Sequence, residues 1–322
     1  MKIKSFIKKC LFNLFYIFRR NIKINVSKEI GTIYKRKLSD IPPLEQVSMA
    51  YQILLQRPID NEATKYWSEK IIKNDFNITN LIDSILSSPE YLMLKKTPFH
   101  EMVHLSRVEW VKKLPMANSI FDIGGSSPNI EEGALIELGY TYRPKKLTIF
   151  DLPPDEQYWG KPKFSQNKNY KFTWGKLNYF HGRVENIKSF SELKDKKYDM
   201  VYMGQTIEHI YPEKLPDVLE WIRKSLNNDG YFIFDTPNRQ LTKLQIPDKF
   251  IDEDHKIEYV PSKLKLILEK HGFLVTKQWG LLPMPNSYKN KKFNPLEIYN
   301  QPFINFDPEK SYLFAFLCKV KT

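Results

Sequence analysis

Cys10 and Cys318 are the only cysteines in 322 residues, which excludes a disulfide framework, and neither has the spacing of a thiolate metal site. A reducing compartment, the cytoplasm, is expected. The early apolar run from Cys10 to Phe18 is about half of the roughly 20 residues that cross a bilayer. No small-residue cleavage site follows it, so it does not read as a signal peptide. The chain has no Gly-x-Ser-x-Gly elbow, no His-Glu-x-x-His helix and no phosphate loop, and so lacks the chemistries those motifs carry.

Acidic residues are nearly missing from one region. Residues 1–37 hold eleven Lys or Arg against the single Glu29, a local balance of +10 out of +13, so the remaining chain carries only +3. A nucleic-acid groove would need lysines gathered on the body, and no nucleic-acid partner is expected. In residues 1–20 basic clusters flank the apolar run. Three readings stand: a helix lying in the interface of an anionic membrane, a helix packed on the protein, or a frayed terminus. The first makes the protein cytoplasmic and peripheral at the inner face of the membrane.

With 42% hydrophobic and 14% aromatic residues, the chain has ample material for a packed core and length for two domains. Residues 1–41 read as a basic amphipathic arm and linker, and Pro42-Pro43 marks a boundary. From 42 to 95 the apolar positions recur at three and four, as in Val47, Ala50, Tyr51, Leu54 and Leu55, which predicts a small all-helical domain. Its Leu54-Leu55-Gln56-Arg57-Pro58-Ile59-Asp60 and Ser88-Pro89-Glu90-Tyr91 stretches resemble a helical family of unknown function associated with bacterial surface-glycan enzymes. Arg57 and Asp60 read as a structural ion pair rather than as ligands.

Residues 96–322 read as an α/β domain. Ile120-Phe121-Asp122-Ile123 is a buried strand ending in a carboxylate, followed by the small-residue turn Gly124-Gly125-Ser126. Glycines there let a ligand approach the backbone at the carboxyl end of a sheet. A second strand, Lys146 to Phe150, ends in Asp151, placed to accept ribose hydroxyls. Tyr179 to Glu185, Tyr198 to Met203 and Tyr231 to Phe234 supply a third, fourth and fifth strand, and Phe273 to Trp279 with Ser311 to Val320 a closing hairpin. With that hairpin the chain is expected to be complete. The irregular aromatic stretch 152–178 is expected to cover the site.

These segments together resemble the class I S-adenosylmethionine-dependent methyltransferases. The resemblance implies a doubly wound, mostly parallel seven-stranded sheet and S-adenosylmethionine as cofactor. It places Asp122, Gly124, Gly125 and Ser126 at the amino-acid end of the donor, Asp151 on its ribose, Arg183 and Val184 beside its adenine, and Gln205 alongside it. Ser126 departs from the usual glycine, and an Asp is commoner at about Arg183.

Glu208 and His209, after the fourth strand, resemble the Glu-His pair of methyltransferases acting on ubiquinone precursors and many sugars. In some of those a Glu three residues earlier joins in holding a divalent cation. Here that position is Gln205, one charge fewer, and no metal is expected. His209 reads either as a general base, since imidazole titrates near neutrality, or with Glu208 as a structural pair. His255 resembles the loop that closes over the acceptor, and reads equally as a solvated loop residue. The expected catalytic set is Glu208, His209 and His255. The expected acceptor is a sugar of a bacterial surface polysaccharide or its precursor; a small quinone-like or lipid acceptor, or an inactive scaffold in glycan assembly, are the alternatives.

Overall fold

The computed structural model describes residues 37–321 apart from 56, 96–97, 158–165 and 167–168. The amphipathic arm, residues 1–20, lies outside the described residues, among which no helix is long and apolar enough to cross a membrane. The chain divides between Glu101 and Met102 into two compact units.

The first unit holds α1 (Pro43–Leu55), α2 (Asn61–Ile72), α3 (Ile78–Leu86) and α4 (Pro89–Leu94). Side chains fix where two of these begin: Asp60 accepts from the Ala63 amide at 2.8 Å, and Asn77 from the Thr79 amide at 2.8 Å. Each satisfies an amide that the first helical turn leaves unpaired. Val47, Ala50, Leu54, Leu81, Ile82 and Ile85 are buried, as their helical spacing requires. Arg57 bridges Asp60 at 3.1 Å and Glu90 at 2.5 Å.

The helix α5 (Phe99–Val111) leads into β1 (Ser119–Ile123), α6 (Gly133–Glu137), β2 (Lys146–Asp151), β3 (Tyr170–Lys171), β4 (Lys176–His181) and β5 (Tyr198–Gly204). There follow α7 (Leu215–Ser225), β6 (Leu226–Pro237), α8 (Arg239–Gln245), α9 (Pro261–Lys270), β7 (Phe273–Pro283), α10 (Pro285–Asn290), β8 (Ile304–Asn305) and β9 (Ser311–Val320). The sheet order is β3-β4-β2-β1-β5-β6-β9-β7-β8. β4, β2, β1, β5 and β6 are mutually parallel, and β9 enters antiparallel between β6 and β7.

Among the described residues nine strands rather than the expected seven make this sheet, because two-residue ladders extend both edges. Tyr170–Lys171 pairs with β4, and Ile304–Asn305 with β7. Two residues are too few for any alternation to register in the sequence. The β3 ladder also corrects the expected cover. Tyr158, Trp159 and Phe164 lie outside the described residues, whereas Phe172 and Gly175 exchange backbone hydrogen bonds in a tight turn, and the Phe172 and Trp174 rings stack 4.9 Å apart. That part of the stretch is an edge hairpin.

The central parallel strands are mostly apolar because both faces are covered. Phe121, Phe150, Val201, Phe232, Phe234, Phe314 and Phe316 belong to one buried cluster with Val218, Leu219 and Ile222 of α7. This rigid base brings Asp122, Asp151, Gly204 and Asp235 to the carboxyl ends of four neighbouring strands.

Candidate active site

The turn after β1 is built around a buried carboxylate. Asp122 is 1% exposed, and neither oxygen makes a hydrogen bond of normal geometry. Burial, and then the charge of Asp151, pushes its pKa well up, with the Leu135 amide and the Arg107 charge offsetting only part. Gly124 follows at φ +72°, in the left-handed region. At Gly125 a Cβ would overlap the Asp122 carboxyl, so only glycine leaves room for both.

Asp151 clips this turn to the tip of β2. Its Oδ2 accepts from the Ser126 amide at 2.9 Å and its Oδ1 from the Leu152 amide at 2.7 Å, while the Gly124 amide donates to the Phe150 carbonyl at 2.8 Å. Burial raises the Asp151 pKa, and the two amides work against that rise. Each oxygen keeps a second lone pair for a further donor.

Arg183 does not join the turn. Its side chain is 65% exposed and pairs with Glu156 at 3.0 Å, and Val184 starts a short 3₁₀ turn and packs on the core. His181, opposite Asp151 in the β2–β4 register, comes to that side instead. Its ring nitrogens lie 3.3 Å from the carbonyls of Leu152 and Gln166. Gln157 and Gln166, both buried, bond each other through their amides at 2.8 and 3.0 Å. No motif announces this pair.

Gln205 has φ +52° and turns its side chain to Asp235, with Nε2 donating to Oδ2 at 2.8 Å. Asp235, fully buried, also accepts from Arg107 Nε at 2.6 Å and from the Tyr202 hydroxyl at 3.3 Å. Burial opposes the Arg107 charge, but Asp235 outweighs it and holds the guanidinium above its ordinary value. Arg107 passes over Gly204, where a Cβ would lie 2.7 Å from its Nη2. Sequence reasoning missed both members of this ion pair; the polar run Asp235-Thr236-Pro237-Asn238 directly after an apolar strand was the available signal.

Glu208, His209 and His255 meet. One ligand atom from each lies within 4.8 Å of the other two, and the two imidazoles meet edge to face with centroids 4.8 Å apart. Glu208 is fully buried, its Oε2 accepting from Thr236 Oγ1 at 2.9 Å and its Oε1 without a partner. Burial pushes its pKa up to about 7. Burial, then the charge of His255, lowers that of His209. For His255 burial acts downward, but Glu258 reverses it and the net direction is up. The backbone that carries His255 is tied to the same strand end, because the Lys256 and Ile257 amides both donate to the Glu208 carbonyl, at 2.8 and 3.2 Å.

A positive-φ Gly124, a Gly125 that has no Cβ over a buried carboxylate, and an Asp at the next strand tip with lone pairs to spare form a cradle suited to a cationic nucleoside. The profile of the family described as "Methyltransferase domain" matches residues 108–278. The chain belongs to that family and is an S-adenosylmethionine-dependent methyltransferase.

The chain is similar to several solved structures. A SAM-dependent methyltransferase from Archaeoglobus fulgidus is 20% identical, with 71% of this chain and 99% of that chain covered and a TM-score of 0.46. A possible histamine N-methyltransferase from Thermotoga maritima is 17% identical, covering 69% and 92%, with a TM-score of 0.45. The N-methyltransferase NodS from Bradyrhizobium japonicum, in complex with S-adenosyl-L-homocysteine, is 11% identical, covering 71% and 91%, with a TM-score of 0.41. No curated protein matches the chain.

Proposed function

We propose that this methyltransferase O-methylates a sugar hydroxyl of a bacterial surface polysaccharide or of its lipid-linked or nucleotide-linked precursor. The observation that carries this reading is the meeting of Glu208, His209 and His255 at the ends of β5 and β6, beside the donor turn. A sugar hydroxyl must lose a proton as it attacks, and a quinone-like or lipid acceptor would ask for apolar walls. The charges acting on this cluster come from Asp252, Asp254 and Glu258, which suit a polyhydroxylated acceptor.

When bound, S-adenosylmethionine supplies a methyl group activated by its sulfonium, so aligning donor with acceptor contributes most of the catalysis. Asp151 takes the ribose hydroxyls on the lone pairs its backbone amides leave free. Asp122 and the turn Gly124-Gly125-Ser126 receive the amino-acid end, where a cationic ligand favours the ionised form of Asp122. Arg107 holds Asp235, and Asp235 holds Gln205, fixing the floor between the donor turn and the cluster. His209 has its pKa lowered by burial, so its ring is neutral near pH 7 and able to accept the hydroxyl proton.

Residues 42–95 support the glycan setting through their family resemblance, and the basic arm, residues 1–20, would bring the enzyme to the anionic inner face of the membrane, where lipid-linked precursors are met. Mass spectrometry of surface glycan from cells with and without the protein tests the reading. A sugar lighter by about 14 Da, one CH₂, in the deficient cells is the expected result. Identical glycan masses would overturn it.

A further inference from the structure

We infer that Glu258 is a positioning residue for the methyl transfer: it holds the His255 ring by Nδ1, so that of the two imidazoles His255 donates a hydrogen bond to the acceptor oxygen and His209 takes its proton. The catalytic use rests on the sugar reading; the arrangement of the rings does not. His255 Nδ1 lies 3.0 Å from Glu258 Oε1, and His209 Nδ1 lies 3.3 Å from the Asp254 carbonyl. Both partners only accept, so each ring carries an N–H on Nδ1. Among the described residues neither Nε2 has a hydrogen-bond partner. What separates the rings is the group behind them. A carboxylate backs His255 and favours its protonated form, whereas a neutral carbonyl backs His209.

Glu258 is itself fixed. Its side chain is 0% exposed, and it accepts from Thr242 Oγ1, from the Ile251 amide at 2.7 Å and from Arg239 Nη1 at 3.4 Å. Thr242 and Arg239 belong to α8 and Ile251 starts the loop, so one carboxylate fastens the loop 251–258 to that helix. The same loop supplies the Asp254 carbonyl, and therefore sets both rings. The charges around His255 are Glu258 and Asp252 on its own loop, Glu208 and His209 after β5, and Arg239, which reaches Glu258 from α8. Burial pulls the His255 pKa down, but Glu258 and then Glu208 outweigh it and the net direction is up. For His209, burial and the His255 charge act in the same direction, downward. Two rings with centroids 4.8 Å apart thus divide the work. The hydroxyl proton passes to His209, while His255 keeps its own and stabilises the charge that grows on the oxygen. No covalent step is added.

Long-range ¹⁵N–¹H spectra of the full-length protein, taken from about pH 5 to about pH 9, read the protons on each ring nitrogen. His209→Asn and His255→Asn assign the signals. In wild type His255 should titrate above the ordinary 6.5 and His209 below it, with neutral His209 protonated on Nδ1. Glu258→Gln keeps the shape of the side chain and removes its charge. There the His255 midpoint should fall and that of His209 should rise, because its neighbour has lost a charge, while His271, beyond α9, stays as in wild type. Near-UV circular dichroism checks that the variant is folded. A wild-type His255 that titrates below His209, or midpoints unmoved in folded Glu258→Gln, overturns the inference; the wild-type spectra decide alone if the variant does not fold. In cells, Glu258→Gln should lower the methylated sugar of the surface glycan at least about tenfold. Wild-type methylation by the folded variant overturns the catalytic use. No methylated sugar with the wild-type protein would overturn the sugar reading instead, and the ring titrations would still decide the place of Glu258.

Discussion

Arg107 Nε and Asp235 Oδ2, 128 positions apart in the chain, lie 2.6 Å from each other at the carboxyl edge of the sheet. Through this pair the helix that precedes the first strand is joined to the end of β6, and Gln205 is held between them. Asp235 is fully buried, so it has no water to fall back on if Arg107 is removed.

Arg107→Leu should therefore destabilise the protein by about 3–5 kcal/mol, since it leaves a buried carboxylate with only Gln205 and Tyr202. Urea unfolding of the variant against wild type checks it. A loss within about 0.5 kcal/mol would mean the pair is solvated in solution.

Gly125→Ala places a Cβ into the Asp122 carboxyl, and neither group has space to withdraw. The expected cost is about 1–3 kcal/mol of stability together with loss of donor binding. Thermal unfolding and S-adenosylhomocysteine titration read the two effects separately, and an alanine variant that binds like wild type would show that the turn stays clear of the ligand.

Glu208 makes stability depend on pH in a stated direction. Its folded pKa is about 7 against the ordinary 4.5, because burial penalises the charged form. The folded state keeps the proton where the unfolded state has lost it, so stability falls as pH rises from 4.5 to about 7 and then levels. The difference is worth about 3 kcal/mol. Urea unfolding with chelator at about pH 5 and about pH 8 should show this loss in wild type and lack it in Glu208→Gln. The same loss in both would place the titration elsewhere.

Deleting residues 1–20 should abolish sedimentation with vesicles rich in anionic lipid, because that stretch sets six Lys or Arg and no Asp or Glu around its apolar run. Undiminished sedimentation of the shortened protein would move the membrane contact to the body.

The sequence made the core of the site legible where short-range pattern and chemistry coincide. Asp122 and Asp151 end apolar strands, and Gly124-Gly125 follows directly, so strand ends and turn could be read together. Glu208 and His209 are adjacent in the chain, and His255 sits in a recognisably acidic loop. What escaped was set by packing over long separations: Arg107 with Asp235, the Gln157–Gln166 pair, and the two-residue edge strands. Arg183 lies two residues beyond the end of β4 at His181, exposed and paired with Glu156. The expected strand ended at Glu185, four residues past the observed end, because Val184 begins a 3₁₀ turn instead.

The measurement that bears most directly on all of this is calorimetric titration of S-adenosylhomocysteine into wild type and into Asp151→Asn. The variant keeps one of the two oxygens that accept from the Ser126 and Leu152 amides and replaces the other by an NH₂, which can accept from neither an amide nor a ribose hydroxyl. Saturable binding by wild type, weakened at least about tenfold in the variant, is the predicted result. No binding by wild type, or equal affinity in the two, would contradict a donor site at the tips of β1 and β2.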